Sequence, residues 1–326
     1  MRKIIFIQRN RAAGFSIDKV FRPIIDNIED KLEISVPSRG AGIKDIFKNL
    51  WFVFKNRRKG VIYHITGDIH YCLLSLIGAR TVLTVHDTVT LDFNTTKNIK
   101  YYVKKFLWFT LPLKIADKVV CISEETKRQL GKYTNRKDLI VIHDSVDRSI
   151  RTTSRNPIPD KFNVLIIGTK KNKNIERVLE ALSVFNCCVT IIGRLTDDQQ
   201  KLISNLGINL TNKFNLTDEE LRQEYYKTDL VMFVSLFEGF GMPVLEANKA
   251  GRPIICSTIP VLKEVGKNSA LYVDPYDVKA IENGINKLIS NPELQNELIK
   301  NGIANAKEHD ISNIMRQWNN LYMSLS

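Results

Sequence analysis

Two glutamates, Glu238 and Glu246, bracket a glycine-rich turn in the stretch SLFEGFGMPVLEANKAGRPII, Ser235 to Ile255. The apolar run Leu230–Val234 before it reads as a buried strand, and the segment Pro243–Ala250 after the turn reads as a helix. Proline suits the first helical position, because its φ is already helical and its missing N–H would have had no partner there. The amides of Met242, Val244 and Leu245 are then expected to stand unpaired at the positive end of the helix dipole, which makes an anion site. Gly239 and Gly241 carry no side chain, so a ligand can approach the backbone closely. Glu238 falls on the loop and Glu246 about one turn inside the helix. They therefore reach different parts of one ligand rather than forming a tight acid–base couple. Carboxylates hold sugar hydroxyls by charge-assisted hydrogen bonds, and a nucleoside-diphosphate sugar offers both a diphosphate and hydroxyls. On these residues alone a plainer reading stands beside it, in which Glu238 caps the turn and Glu246 is a solvated helix residue.

A second cluster lies at Gly168-Thr169, the end of an apolar strand, followed by Lys170, Lys171, Lys173 and Asn174 before a helix. A lysine-rich strand–loop–helix opening is a natural diphosphate cradle. Lys173, nearest the helix, is the choice for the charge on a leaving phosphate; the alternative is a solvated basic loop.

These clusters need elements to position them. The first half alternates strand candidates (Lys3–Gln8, Lys31–Val36, Gly60–Ile65, Thr81–His86, Lys118–Ser123, Leu139–His143) with helical patterns (Ile17–Ile28, Ile43–Phe54, Ile99–Ile115, Glu124–Leu130). Such a rhythm implies a parallel sheet covered by helices on both faces. The polar, proline-bearing stretch RSIRTTSRNPIPDK breaks it and predicts a linker. Alternation then resumes through strands at Asn163–Gly168, Cys188–Gly193, Leu230–Val234, Pro253–Cys256 and Ala270–Val273, with helices at Ile175–Phe185, Asp197–Asn205, Asp218–Lys227 and Pro243–Ala250. Two doubly wound domains and one linker imply a cleft, with ligands outside the carboxyl ends of the strands.

The 326 residues suffice for two such cores. The opening MRKIIFIQRNR has too short an apolar run for a secretory signal, and no run is long enough to span a bilayer. Five cysteines in apolar contexts, without metal-ligand spacing, fit free thiols in a reducing cytoplasm. Charge is uneven: residues 1–150 hold 27 Lys and Arg against 15 Asp and Glu, residues 151–326 hold 21 against 20. The basic half calls for an extended anionic partner, a membrane surface or a nucleic acid. KDIFKNLWFVFKNRRKG (Lys44–Gly60) and KNIKYYVKKFLWFTLPLK (Lys97–Lys114) mix cations with aromatic residues. That pattern suits helices lying on anionic lipid; equally, it suits helices that bury their rings in the core. A nucleic-acid partner is disfavoured, because no nucleic-acid motif accompanies the charge.

The second half resembles the retaining glycosyltransferases of family 4 (group 1), which carry a Glu-x7-Glu motif. The resemblance spans about residues 163–309: Gly168-Thr169 with Lys173-Asn174, Leu216–Leu221, Asp229-Leu230, Ser235 through Glu246, Gly251–Ile254, Pro260–Glu264 and Asp274-Pro275. In the first half Thr84–Asp87 and Ala116–Ser123 match more thinly. It implies the α/β GT-B fold, two Rossmann-like doubly wound parallel-sheet domains facing across a cleft. The expected domains are an acceptor-binding domain over residues 1–150, a linker over 151–161, a nucleotide-sugar-binding domain over 162–309, and a C-terminal helix over 310–326 packing back on the first domain.

By this resemblance the chain is a hexosyltransferase working with retention, from a nucleoside-diphosphate sugar to a hydroxyl of a saccharide, lipid-linked, in cell-surface polysaccharide synthesis. It needs no cofactor and no metal, and the sequence contains no Asp-x-Asp. Glu238 contacts the donor sugar, Glu246 the ribose, and Thr169 with the backbone around Phe240, Gly241, Met242 and Val244 the sugar and phosphates. Gly14, after the first strand, lets the diphosphate approach from the other domain. His86 stands near the reacting centre, with Asp87 on the acceptor side. The chain departs from the family pattern in having one glycine in the loop Gln8–Gly14, Thr169 where arginine is common, His143-Asp144-Ser145 before the linker, and the polar pair Asn248-Lys249, expected at the surface. A nucleotide-sugar-binding module without turnover remains the alternative.

Overall fold

The computed structural model describes residues 2–10, 16–40, 42–88, 91, 98–154 and 157–325. The chain divides into two compact units, residues 1–145 with 311–326, and residues 146–310. The first unit holds a six-stranded sheet of β1 (Ile4–Gln8), β2 (Lys31–Ser35), β3 (Ile62–Ile65), β4 (Arg80–Val85), β5 (Lys118–Cys121) and β6 (Ile140–Val141), in the order β2-β1-β3-β4-β5-β6. Every pairing is parallel. Parallel sheets are covered on both faces, which is why β1 reads as a continuous apolar run, buried throughout. Its side chains alternate: Ile5 and Ile7 enter the core on one face, Ile4 and Phe6 the core on the other.

The helices of this unit are α1 (Ser16–Asp26), α2 (Ile43–Lys55), α3 (Ile99–Lys105), α4 (Leu111–Ile115) and α5 (Glu124–Leu130). The helix expected over Ile99–Ile115 is present across those bounds, but a π-turn, Phe106–Thr110, interrupts its regular hydrogen bonding between α3 and α4. Pro112 supplies the physical reason, since it has no N–H for the carbonyl of Trp108 four residues earlier. That carbonyl instead accepts a hydrogen bond from Nδ1 of His70 at 2.7 Å, on a 3₁₀ segment His70–Leu76 that sequence periodicity missed. The two basic aromatic segments are neither all core nor all surface. Asn49 and Val53 of α2 and Trp108 and Phe109 of the π-turn are buried, whereas Phe47, Trp51, Phe54, Tyr102 and Phe106 are exposed.

The second unit repeats the plan with β7 (Phe162–Ile167), β8 (Cys187–Ile192), β9 (Asn209–Lys213), β10 (Leu230–Phe233), β11 (Ile254–Ser257) and β12 (Leu271–Val273), all parallel, in the order β12-β11-β10-β7-β8-β9. The polar edge strand β9, NLTNK, was not foreseen because it has no apolar alternation to reveal it. Its helices are α6 (Ile175–Leu182), α7 (Asp197–Leu206), α8 (Asp218–Lys227), α9 (Met242–Ala250), α10 (Pro260–Gly266), α11 (Val278–Ile289) and α12 (Pro292–Glu308). Helices α7 and α8 each open on a capping box, Thr196 with Gln199 and Thr217 with Glu220.

Two expectations change. The described residues of the expected linker, 151–154 and 157–161, belong to the second unit and pack on it. The Thr152 hydroxyl donates to Lys249 O, the Arg252 guanidinium donates to Thr153 Oγ1 at 2.6 Å, and buried Ile158 donates its amide to Gln295. Asn248 is interior, not surface: it is 1% exposed, and its Oδ1 accepts from Ser269 and from Asn305 of α12.

The last helix, α13 (Ile311–Met323), belongs to the first unit. It covers α1 and the sheet through Ile314, Trp318 and Tyr322. At its centre buried His64 hydrogen-bonds Tyr322 Oη through Nδ1 and Thr84 Oγ1 through Nε2, each at 2.8 Å, with the Trp318 ring 4.9 Å away. Burial lowers the His64 pKa to about 3, so the imidazole is neutral and bonds as a neutral group. Truncating a buried aromatic typically costs about 3–5 kcal/mol. Trp318→Ala is therefore expected to lower the unfolding free energy by about that amount, whereas Met323→Ala, more than half exposed, leaves it within about 0.5 kcal/mol. Equal denaturation midpoints for the two variants would contradict this packing.

Candidate active site

In the second sheet the chain runs β7, β8, β9 to one side and returns to β10, β11, β12 on the other. Strands β7 and β10 are therefore neighbours at the switch point, where ligands bind outside the carboxyl ends of doubly wound sheets. The lysine loop follows β7 and the Glu238 loop follows β10, so sheet topology alone places the two predicted clusters side by side.

Hydrogen bonds then lock the loops together. Leu236 N donates to Asn172 O at 2.8 Å, and Asn172 Nδ2 donates to Phe237 O at 2.9 Å. Asn174, in a left-handed conformation at the start of α6, is 1% exposed and donates from Nδ2 to Val234 O and Pro275 O. Lys173 Nζ sits 2.6 Å from Glu238 Oε1 and 4.6 Å from the centroid of the Phe233 ring. Both charged side chains are mostly covered, 17% and 14% exposed. The lysine stem lies across Gly168, whose φ is +89°; a Cβ there would come within 2.8 Å of Lys173 Cε. Thr169 follows in the same loop, its carbonyl accepting from Gln199.

Helix α9 starts at Met242, so Pro243 is its second residue rather than its first. Gly241 precedes it with φ +118°, and a Cβ at that position would strike Leu262 at 2.6 Å. One expected feature of the anion site changes here. The Val244 amide donates to Gly241 O at 2.9 Å and its side chain is fully buried, so this amide closes the turn instead of facing a ligand. Phe240 is buried edge-on against His309.

Glu246 is 7% exposed, and its Oε2 accepts a hydrogen bond from the Tyr225 hydroxyl at 2.7 Å. Burial, and then the charge of Glu246, push the Tyr225 pKa well above its ordinary value, so the hydroxyl keeps the proton it donates. Tyr225 is itself held by Arg252, whose Nε donates to the Tyr225 carbonyl. Sequence reading missed Tyr225, because it lies on α8 and nothing in its spacing relates it to Glu246.

In the first unit His86 follows β4. Its Nε2 donates to Thr66 O at 2.7 Å, its carbonyl accepts from Thr126, and Phe21 meets its ring edge-on. Burial lowers its pKa more than the Thr66 carbonyl and Asp68 raise it, which leaves a neutral imidazole with its lone pair on Nδ1. Asp87 is half-buried beside it. Gly14 lies outside the described residues. A cavity of about 480 Å³ opens at the carboxyl ends of β1, β2 and β3, lined by Arg9, Arg39, Asp68, Tyr71, Lys104 and Trp108 among others. A larger open groove of about 890 Å³, between residues 110–117 and 132–136, contains none of the predicted site residues. Thr169, Lys173, Glu238, Phe240, Gly241, Met242, Val244 and Glu246 thus share one unit, while His86 and Asp87 belong to the other.

With this geometry in place, comparison with known proteins assigns the family. The model for glycosyl transferases group 1 matches residues 151–305, and that for glycosyltransferase family 4 matches residues 28–150. The chain belongs to the family 4, group 1 glycosyltransferases. This glycosyltransferase is 28% identical over 243 residues to the O-antigen chain mannosyltransferase RfbU of Salmonella typhimurium, covering 68% of each chain. It is 34% identical over 108 residues to the O-antigen chain mannosyltransferase B of Escherichia coli, a match spanning 33% of this chain and only 28% of that protein. The crystal structure of HepE of Anabaena with UDP and glucose shares the fold, with a TM-score of 0.80, 15% identity and 99% and 100% of the two chains covered.

The Tyr225–Glu246 bond yields a test. Leaving a buried carboxylate without its donor costs about 1–3 kcal/mol. Tyr225→Phe is expected to destabilise the glycosyltransferase by that amount in urea titration, and Tyr225→Phe combined with Glu246→Gln less than the sum of the two single changes. Strict additivity would show that the two side chains are not coupled.

Proposed function

We propose that this glycosyltransferase moves a hexose, with retention of anomeric configuration, from a nucleoside-diphosphate sugar to a hydroxyl of a lipid-linked saccharide in cell-surface polysaccharide synthesis. The observation that carries the reading is the largely covered Lys173–Glu238 pair, set beside the amino end of α9 at the switch point of the sheet. One group suits the diphosphate and the other suits sugar hydroxyls. The names of the relatives, O-antigen mannosyltransferases, make a mannosyl nucleoside diphosphate the first donor to try. Five free cysteines accord with work in the cytoplasm.

The acceptor hydroxyl attacks the anomeric carbon on the face the diphosphate leaves. The carbon–oxygen bond to the phosphate breaks as the new glycosidic bond forms, and the acceptor proton passes to the departing phosphate oxygen. Lys173 exchanges Glu238 for the β-phosphate and stabilises its charge, together with the end of α9, so that no metal is required. Glu238, released, accepts hydrogen bonds from the hexose, and Glu246, oriented by Tyr225, from the ribose. The Phe240–Met242 backbone and Thr169 line the donor. The family resemblance assigns neutral His86, held by Thr66 O, to the donor sugar and Asp87 to the acceptor; the Arg9–Arg39–Lys104 cavity suits an acceptor that carries an anion.

Removing one group that stabilises developing charge typically costs roughly 3–4 kcal/mol in the transition state. Lys173→Ala and Glu238→Ala are each expected to lower kcat by about 10²–10³-fold while circular dichroism still shows a folded protein, with some loss of melting temperature because the remaining charge loses its partner. The assay uses labelled UDP-, GDP- and ADP-sugars with a lipid-linked saccharide, and proton NMR reads the anomeric configuration of the product. Turnover near wild type in either variant, or an inverted product, would sink this mechanism. Donor binding without turnover in the wild type would favour a binding module.

A further inference from the structure

Helices α2 and α3 lie on the same face of the first sheet, since Val53 of α2 and Tyr101 of α3 enter one core with Trp108. Their outer faces are the least expected surface of the molecule. Thirteen large apolar side chains are exposed among the described residues, and eight of them belong to α2, α3 and the π-turn that follows α3. Phe47, Trp51 and Phe54 project from α2, Tyr102 and Val103 from α3, and Phe106 from the π-turn that follows. The Trp51 and Phe54 rings stack at 6.0 Å, with Lys55 Nζ 5.1 Å from the Trp51 centroid and Arg57 over Phe54. Large apolar side chains gathered on a water-facing surface mark an interaction site.

Charge identifies the occupant. Residues 44–59 hold six Lys and Arg against one Asp, and residues 98–114 hold four Lys and no acid. Lys44, Lys48, Lys55, Arg57, Arg58 and Lys59 are all exposed. A second copy of this chain would bring the same positive face against itself. A nucleic acid could stack on the rings but would leave Ile43, Ile99 and Val103 without apolar company. An anionic lipid leaflet satisfies both demands, with headgroups for the cations and the acyl boundary for the rings and aliphatic groups. We propose that the outer face of α2, α3 and the π-turn docks this protein on an anionic bilayer, with Phe47, Trp51, Phe54 and Phe106 entering the interface. Lys104 connects this face to the interior, because the helix that turns Tyr102 and Val103 outward also carries Lys104 into the wall of the 480 Å³ cavity. A phosphate-bearing lipid in the leaflet would thus meet a cationic cavity one helix away from its bilayer.

Trp51 provides its own reporter, since the other two tryptophans, Trp108 and Trp318, are buried. With phosphatidylglycerol vesicles at low salt, its fluorescence is expected to shift to the blue and to be quenched by brominated acyl chains. The shift should fade as salt is raised, because the headgroup attraction is screened, and should be absent with pure phosphatidylcholine. Lys48→Glu with Lys55→Glu is expected to weaken vesicle binding by at least about tenfold, and Phe47→Ser with Phe106→Ser comparably, all with unchanged thermal melts because these side chains are exposed. Four outcomes would overturn the proposal: an unshifted Trp51, equal binding to neutral vesicles, a shift that follows protein concentration without lipid, or a shift with a single-stranded oligonucleotide but not with vesicles. Transfer to a water-soluble acceptor, measured on the same variants, separates a loss of membrane docking from a loss of glycosyl transfer.

Discussion

Strands β7 and β10 end side by side in one parallel sheet, and their two loops share a single set of hydrogen bonds. The consequences reach most of the second unit. Asn174 must adopt a left-handed conformation to satisfy two carbonyls at once, which fixes the start of α6. Lys173 must then lie over Gly168, where no Cβ fits, and its ammonium meets Glu238 with the Phe233 ring beneath. In a charge pair this covered, desolvation offsets much of the Coulombic gain.

A second layer of support stands behind the first. Tyr225 aims Glu246, Arg252 holds Tyr225, and Arg252 also holds Thr153, so the chain entering the second unit is tied to the residues that orient its glutamate. Buried Asn248 plays a comparable part on the far side of α9, joining it to Ser269 and to Asn305 of α12. Polar groups buried in this way must be hydrogen-bonded or they cost stability. Their partners therefore define where α9 can sit, and α9 carries both the glycine turn and Glu246.

The first unit solves a different problem. One side of its sheet is closed by α1 and α13 around neutral His64, in an apolar and aromatic core. The other side is closed by α2, the 3₁₀ segment and the π-turn, whose inner residues make an ordinary core. Their outer residues leave rings and lysines in water. Pro112 is the local cause of the π-turn, and with it of the arrangement that buries Trp108 and Phe109 while Phe106 remains outside.

Much of this could be read from the chain before any coordinates. Apolar runs and turn residues are local properties, so they announced two parallel sheets, the glycine turn before α9 and the lysine loop after β7. The Glu-x7-Glu spacing placed one carboxylate on a loop and the other in a helix, as found. Where the signal was not local, the sequence was silent or misleading. Edge strand β9 has no apolar alternation, Asn248 looks like a surface residue, and the expected linker gives no sign that Arg252 holds Thr153 and Gln295 holds Ile158. The aromatic segments carry the same periodicity whether their rings face a core or a lipid. Sequence alone singled out the candidate residues for a diphosphate and a sugar. Only the tertiary structure decided that Lys173 meets Glu238, that Tyr225 aims Glu246 and that Trp51 faces outward, because each depends on which distant strand or helix is the neighbour, and neighbours are set by the order of strands in the sheet.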